Sequence, residues 1–215
     1  MTDAALTTSS GKKQRRNSRD ALMQAASEIL IQRNTIDISL SDIAEHSGLN
    51  SALIKYHFGN KNGLLLALVE RDAGPSMEKL KALSEQDTPP TEKLRMHIAG
   101  VIHTYAKCPY LNRLVHTLME NGNDEIAEEL VDFFVKPILN AQQRIVEQGV
   151  ELGIFKPVEP MMFYYLLIGA CDYIFYARHS RRFMSGQPEL TQATRDQYIN
   201  FVTDSAIKIL AVDDK

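Results

Sequence analysis

From residue 17 onward the apolar positions of this 215-residue chain recur at helical spacing. Leu22, Ala25, Ala26, Ile29 and Leu30 fall at i, i+3, i+4, i+7 and i+8, so they line one stripe of a helix that Asn17 or Ser18 is placed to cap. A short second helix is predicted over 39–46, with Ser39 as N-cap, Leu40, Ile43 and Ala44 inward, and Gly48 suited to a left-handed stop. Asn50 offers the cap for a third short helix to residue 57; Gly59-Asn60 then turns the chain and Lys61 opens a long helix holding Leu64, Leu65, Leu68 and Val69. Prolines punctuate the rest of the chain. Pro75 is expected to kink or end the fourth helix, residues 88–91 form a loop, and Pro109 separates a helix with Ile98, Val101, Ile102 and Tyr105 from one with Leu111, Leu114, Val115 and Leu118. Pro137 and Pro160 each suit the first turn of a new helix, the second spanning 161–178. Residues 180–194 read as a polar loop and 195–211 as the last helix. Strand patterning is absent, so the fold class is all-α with nine to ten helices.

Residues 39–58 have the dimensions of a helix-turn-helix, two short helices joined by a turn containing glycine. In such a unit the second helix enters a major groove about 12 Å wide while the first crosses the backbone. Leu40, Ile43, Leu49, Leu53 and Phe58 would form the small core, leaving Asn50, Ser51, Ala52, Lys55 and Tyr56 outward. Those groups suit DNA: amide and hydroxyl for base edges or phosphate, a methyl for thymine, ammonium and phenol for phosphate.

Charge sharpens this division. The net charge of −3 hides eight Lys and Arg against six Asp and Glu in residues 1–61, and sixteen against twenty-one in residues 62–215. Lys12, Lys13, Arg15, Arg16 and Arg19 oppose only Asp3 in the first nineteen residues, which predicts a disordered basic arm over 1–16, either reaching a polyanion or serving as a solubilising tail. The acidic remainder argues against an extended DNA surface there. The domains expected are therefore the arm, a helix-turn-helix domain over 17–62, and a larger helical domain over 63–215.

The segment 39–58, with the following Gly59-Asn60-Lys61-Asn62-Gly63-Leu64-Leu65, resembles the signature of the tetracycline-repressor (TetR) family of one-component regulators, specifically over about residues 17–71. The resemblance implies a three-helix DNA-binding domain followed by a larger, divergent helical domain that senses a ligand and dimerises. By motif match, Ser39 and Ser41 correspond to hydroxyls that touch phosphate; Asn50, Ser51, Ala52 and Leu53 begin the recognition helix; Lys55 and Tyr56 occupy an adjacent pair that is often aromatic. His57 and Phe58 match the usual His-Phe, and Lys61 the lysine that meets the backbone. His57 could instead bond a neighbouring helix. Lys55 stands where Tyr is frequent and Asn50 where Ser or Thr is frequent, so base preference does not transfer. The implied partners are a palindromic double-stranded operator, a second copy of the chain and a small-molecule effector of unknown identity, with no membrane.

In the large domain, the helix at 161–178 is apolar almost all round and needs a second cover. The last helix could supply part of it within one chain. The resemblance implies instead that both helices pair with their symmetry mates, through Tyr164, Ile168, Phe175, Tyr198, Val202 and Ile209, with Gly169 and Ala170 permitting close approach. Effector-binding candidates are polar or aromatic groups on otherwise apolar helices: His97, Tyr105, His116, Met119, Glu120, Phe133, Phe134, Arg144, Tyr165 and Asp172. A buried Asp172 would need an Arg or Tyr partner.

Other classes are poorly supported. His97 and His103 are six apart, not at the i, i+4 spacing of a helical zinc site, and Cys108 and Cys171 sit in no nucleophile or disulfide framework. No metal or cofactor is predicted. The apolar run 161–171 is too short to span a bilayer, and the N-terminus lacks an apolar leader, which together predict a cytoplasmic protein. The rival reading is an all-helical small-molecule enzyme or carrier in which 39–58 is merely a packing hairpin; a DNA-binding protein with no effector is a third.

Overall fold

The computed structural model describes residues 4–187 and 189–212, with side chains from residue 16 onward except at 179. Eleven α-helical segments occur among the described residues. They are α1 (Ala4–Arg33), α2 (Leu40–Ser47), α3 (Ala52–Phe58), α4 (Lys61–Glu85), α5 (Pro90–Lys107), α6 (Leu111–Asn121), α7 (Asp124–Leu130), α8 (Lys136–Glu151), α9 (Pro160–Tyr176), α10 (Arg178–Ser185) and α11 (Gln192–Leu210). A π-helical turn at Val131–Val135 joins α7 to α8 without a break, so counting that rod once gives ten. The one extended pairing among the described residues is an isolated antiparallel bridge between Phe155 and Ala211.

Four elements depart from the sequence pattern. Helix α1 begins at Ala4 rather than near Asn17; the segment has no proline, and Ala4, Ala5, Leu6 and residues 12–16 are good helix formers flanking a weaker run at 7–11. Pro75 lies inside α4, so of the two expected outcomes it does not end the helix. Pro137 sits in the first turn of α8 as expected, but that helix continues directly from the π turn at Val131–Val135 instead of following a loop. The expected loop at 180–194 contains α10, which Gly186 ends in a left-handed cap.

The chain divides into two compact units. The first comprises Met1–Asp72 and also Arg113–Ala127; the second comprises Ala73–Asn112 and Glu128–Lys215. In the first unit α2 and α3 pack on α1, whose Leu22, Ala25, Ala26, Ile29 and Leu30 are all buried. In the second, one cluster runs from Leu94, Ile98 and Ile102 through Ile145 and Val146 to Phe163, Leu167, Val202 and Leu210, tying together α5, α8, α9 and α11. Burial of these side chains at roughly 1.5–3 kcal/mol each is what fixes the helices, since isolated segments of this length are marginal in water.

Candidate nucleic-acid interface

Helix α2 opens with a reciprocal cap: the Ser39 hydroxyl accepts the Asp42 backbone N–H at 3.0 Å, and the Asp42 carboxylate accepts the Ser39 N–H at 2.9 Å. The Ser39 hydroxyl, the Ser39 backbone and then the Arg33 guanidinium, 2.8 Å away, hold the Asp42 carboxyl down to about 2. At the other end Gly48 adopts φ 66°, which a side chain would resist, and its N–H returns to the Ala44 and Glu45 carbonyls. The chain is thereby turned sharply into α3. Asn50 Oδ1 accepts the Ala52 N–H at 2.8 Å, which commits its oxygen to the turn.

Helix α3 is held from one side. Ile54 is fully buried, while Ser51, Ala52, Lys55 and Tyr56 are exposed, Tyr56 by 57%. Ser39, Ser41 and Asn50 are exposed too. His57 is half-buried, and its Nε2 lies 2.8 Å from the Ser18 hydroxyl on α1; it locks α3 to its platform, the alternative the sequence left open. The Arg19 guanidinium stacks 5.2 Å above the Phe58 ring, so a residue the sequence counted only within a basic run braces the end of the recognition helix. Lys61 is half-buried, 3.6 Å from Asp37. The small core differs in detail from the expected one: Leu40 is 36% exposed, and Ile54, unassigned in the sequence, takes the deepest place. A seven-residue helix can bury one narrow face, and Ile54 with Phe58 at i+4 occupies it.

The expected effector set is dispersed. His116 and Glu120 belong to the first unit and are exposed, because α6 turns its stripe of Leu111, Leu114, Val115 and Leu118 inward and they lie on the other side. In the second unit Arg144 is exposed and Tyr165 is 60% exposed. Tyr105, Phe134, His97 and Asp172 are buried. Tyr105 packs edge-on against Phe175, and its phenol is pushed up chiefly by burial and then by Asp172. Asp172 accepts from Asn112 Nδ2 at 2.8 Å. Burial pushes the His97 imidazole down to about 4, and its Nε2 lies 2.9 Å from Gln142 Nε2. A cleft of about 350 Å³ opens elsewhere, between α8 and residues 157–163, and none of the expected effector residues lines it.

Of the expected pairing face, Tyr164 and Val202 are buried within their own unit, and Phe175 is half-buried against Tyr105. Tyr198 is half-buried and donates its hydroxyl to the Ala170 carbonyl at 2.8 Å. Ile168 is half-buried and Ile209 is 40% exposed. Other exposed apolar residues are Met162, Tyr165, Leu166, Tyr173 and Tyr176 on α9 and Phe201 on α11; Tyr165 and Phe201 lie one position along from the expected Tyr164 and Val202. No helix among the described residues is long and apolar enough to cross a membrane.

Residues 22–68 match the family model described as bacterial regulatory proteins, tetR family, and residues 87–214 match the tetracyclin repressor-like C-terminal domain. The chain belongs to the tetR family. The first match contains the α1 stripe, the capped turn and α3, hence every DNA-contact candidate above. The HTH-type transcriptional regulatory protein RaaS of Mycobacterium tuberculosis is 31% identical over 125 residues, 58% of this chain and 54% of that protein. The fatty acid metabolism regulator protein of Bacillus subtilis is 23% identical over 144 residues, 67% of this chain and 74% of that protein. The match thus spans about half the length of the first relative and three quarters of the second. Among solved structures, the transcriptional regulator FadR from Bacillus subtilis in complex with stearoyl-CoA superposes with a TM-score of 0.70 at 18% identity, covering 88% of this chain and 98% of that one. At that identity the likeness is one of fold.

Proposed function

We propose that this tetR-family chain is a ligand-responsive repressor that grips a palindromic operator as a homodimer. The observation that carries the reading is the one-sided burial of α3: Ile54 anchors it, Ser18 and Arg19 brace it, and Ser51, Ala52, Lys55 and Tyr56 are left exposed. Asn50 NH2 and the Ala52 methyl address base edges; Lys55, Tyr56 and the Ser41 hydroxyl meet phosphates, while Ser39 and His57 position the helices that carry them. The second copy covers the exposed face of α9 and α11, where Met162, Tyr165, Leu166 and Tyr173 share one side of α9, and Gly169 among them has open space above it. Two recognition helices related by that axis address successive major grooves. An effector acts by favouring a dimer geometry that fits the operator less well.

Fluorescence anisotropy with DNA from upstream of the protein's own gene, against excess random DNA, tests this directly. Lys55→Ala should weaken binding to all sequences and reduce the salt slope by about one unit per protomer, while Asn50→Ala should relax sequence preference. Equal affinity for specific and random DNA in the unaltered chain would refute the operator reading. Leu166→Glu should give a monomer by light scattering with greatly weakened operator binding; an unaltered dimer would refute the pairing face.

A further inference from the structure

The cleft in the second unit is not lined by any residue that sequence reasoning assigned to a ligand. Its walls are Val146 and Val150 of α8 and Phe163 of α9, closed on one side by the segment 157–160. Three features of its lining select an occupant.

The first is Gln142, which lines the cleft and is only 1% exposed. Its amide meets His97 Nε2 at 2.9 Å, and its Oε1 has no hydrogen-bond partner. His97 is 3% exposed and neutral at physiological pH, since burial holds it well below its ordinary range. A neutral imidazole nitrogen satisfies one end of an amide, not both. The other end is a buried polar atom left wanting a partner, in a side chain that forms the wall of a cavity. The second feature is charge. Glu147 and Glu151, one turn apart on α8, both line the cleft, and no Lys or Arg does. Glu147 accepts from Gln143 at 2.8 Å, and neither carboxylate belongs to an ion pair among the described residues. The nearby buried ammonium of Lys93 is committed to Gln148 Oε1 at 2.9 Å and to the Ser84 carbonyl at 3.2 Å. The third is size, since about 350 Å³ lies at the small end of ligand pockets.

We infer that this cleft binds a small organic cation with an apolar or aromatic body, the body packing against Val146, Val150 and Phe163 while the ammonium faces Glu147 and Glu151. The cleft disfavours acyl thioesters of coenzyme A: their phosphates would face two carboxylates with no compensating cation. As an effector site the cleft rests on the repressor reading, and the site has a route to the surface that reading needs. Phe163 lies on α9, the helix whose adjacent Met162, Tyr165 and Leu166 form the exposed apolar face.

Calorimetry on the full chain with three probes of one shape, 4-phenylbutylamine, 4-phenylbutanol and 4-phenylbutanoate, tests the inference. The amine should bind, the alcohol should bind roughly tenfold more weakly, the scale of two partly solvated charge contacts, and the acid should not bind measurably. Glu147→Gln with Glu151→Gln should bring amine and alcohol to near parity, and these exposed sites leave the fold intact. Val150→Trp, which fills the cleft, should abolish amine binding with the thermal midpoint preserved. Binding of the acid as tight as the amine, amine binding that survives Val150→Trp, or no amine binding overturns the cleft assignment while leaving operator binding untouched. Amine binding that leaves operator affinity unchanged refutes the effector role of the cleft and leaves its cation specificity standing.

Discussion

Gly149 approaches a buried aromatic ring closely, and its substitution by alanine sets two opposed effects against each other. It lies near the end of α8, buried, and its carbonyl accepts the Ile154 and Phe155 N–H groups at 3.0 and 3.1 Å as the chain turns back. An alanine Cβ would fall 2.0 Å from Phe155 Cδ2, with Cγ and Cε2 at 2.6 and 2.7 Å. Ordinary carbon contact begins near 3.5 Å, so the ring must retreat by roughly 1.5 Å. Phe155 is 3% exposed and belongs to the main cluster with Leu210 and Val146, and its neighbour Lys156 donates to the Leu210 carbonyl at 2.7 Å. There is nowhere for the ring to slide without moving α11. Against this, Gly→Ala in a helix gains about 1 kcal/mol of propensity. Overpacking costs about 1–3 kcal/mol, and ejecting a buried Phe about 3–5 kcal/mol, so the clash wins. Gly149→Ala should destabilise by about 2 kcal/mol net in urea unfolding. In a Phe155→Ala background, where the ring is gone, the same substitution should stabilise by up to about 1 kcal/mol. A neutral or stabilising Gly149→Ala in the unaltered chain, or an equal cost in both backgrounds, would refute the close-approach argument.

Two further outcomes rest on the caps and buried groups. Ser39→Ala removes the hydroxyl that both caps α2 and depresses Asp42; it should destabilise the first unit by about 1 kcal/mol and move the Asp42 titration up from about 2, followed by NMR of the Asp42 side chain. An unchanged Asp42 titration would refute the hydroxyl's role and leave the residue-39 backbone N–H and Arg33 to set it. His97 is held near 4 against 6.5 when unfolded, so the unfolded chain takes up the proton first as the pH falls. Stability is therefore full above pH 6.5 and is lost between there and 4, by up to about 3 kcal/mol from this residue. Urea melts of the chain and of His97→Gln should converge in their pH slopes above 6.5 and diverge below it; parallel slopes throughout would place His97 in contact with water.

The first unit was readable because its determinants are local. A serine three residues before an aspartate makes a cap, a glycine takes φ 66° where any other residue would strain, and a helix of seven residues has only one face to bury. Each of those relations spans a few residues, so the capped turn and the exposed Ser51, Ala52, Lys55 and Tyr56 follow from spacing alone. What spacing missed there was the long-range bracing of α3 by Ser18 and Arg19, which lie 39 residues from the groups they touch. The recruitment of Arg113–Ala127 to the first unit was equally hidden, since Arg113 reaches the Asn34 side chain across 79 residues at 2.8 Å.

Helix α9 shows why the second unit resisted. A helix apolar on every side has no contrast from which to read its orientation, and a shift of one residue rotates the inferred face by about 100°. That is the size of the discrepancy: Tyr164 is buried where Tyr165 is exposed, and Val202 is buried where Phe201 is exposed. The orientation is decided by Leu94, Ile98, Ile102 and Ile145 arriving from α5 and α8, partners that no local pattern specifies. The cleft has the same origin, because residues 157–163 form it only by folding back onto α8. One local signal did exist. On α8 the apolar stripe of Ile138, Ala141, Ile145, Val146 and Gly149 contains Gln142, and an amide placed among such residues must find a hydrogen-bonding partner, in the chain or in what the chain binds.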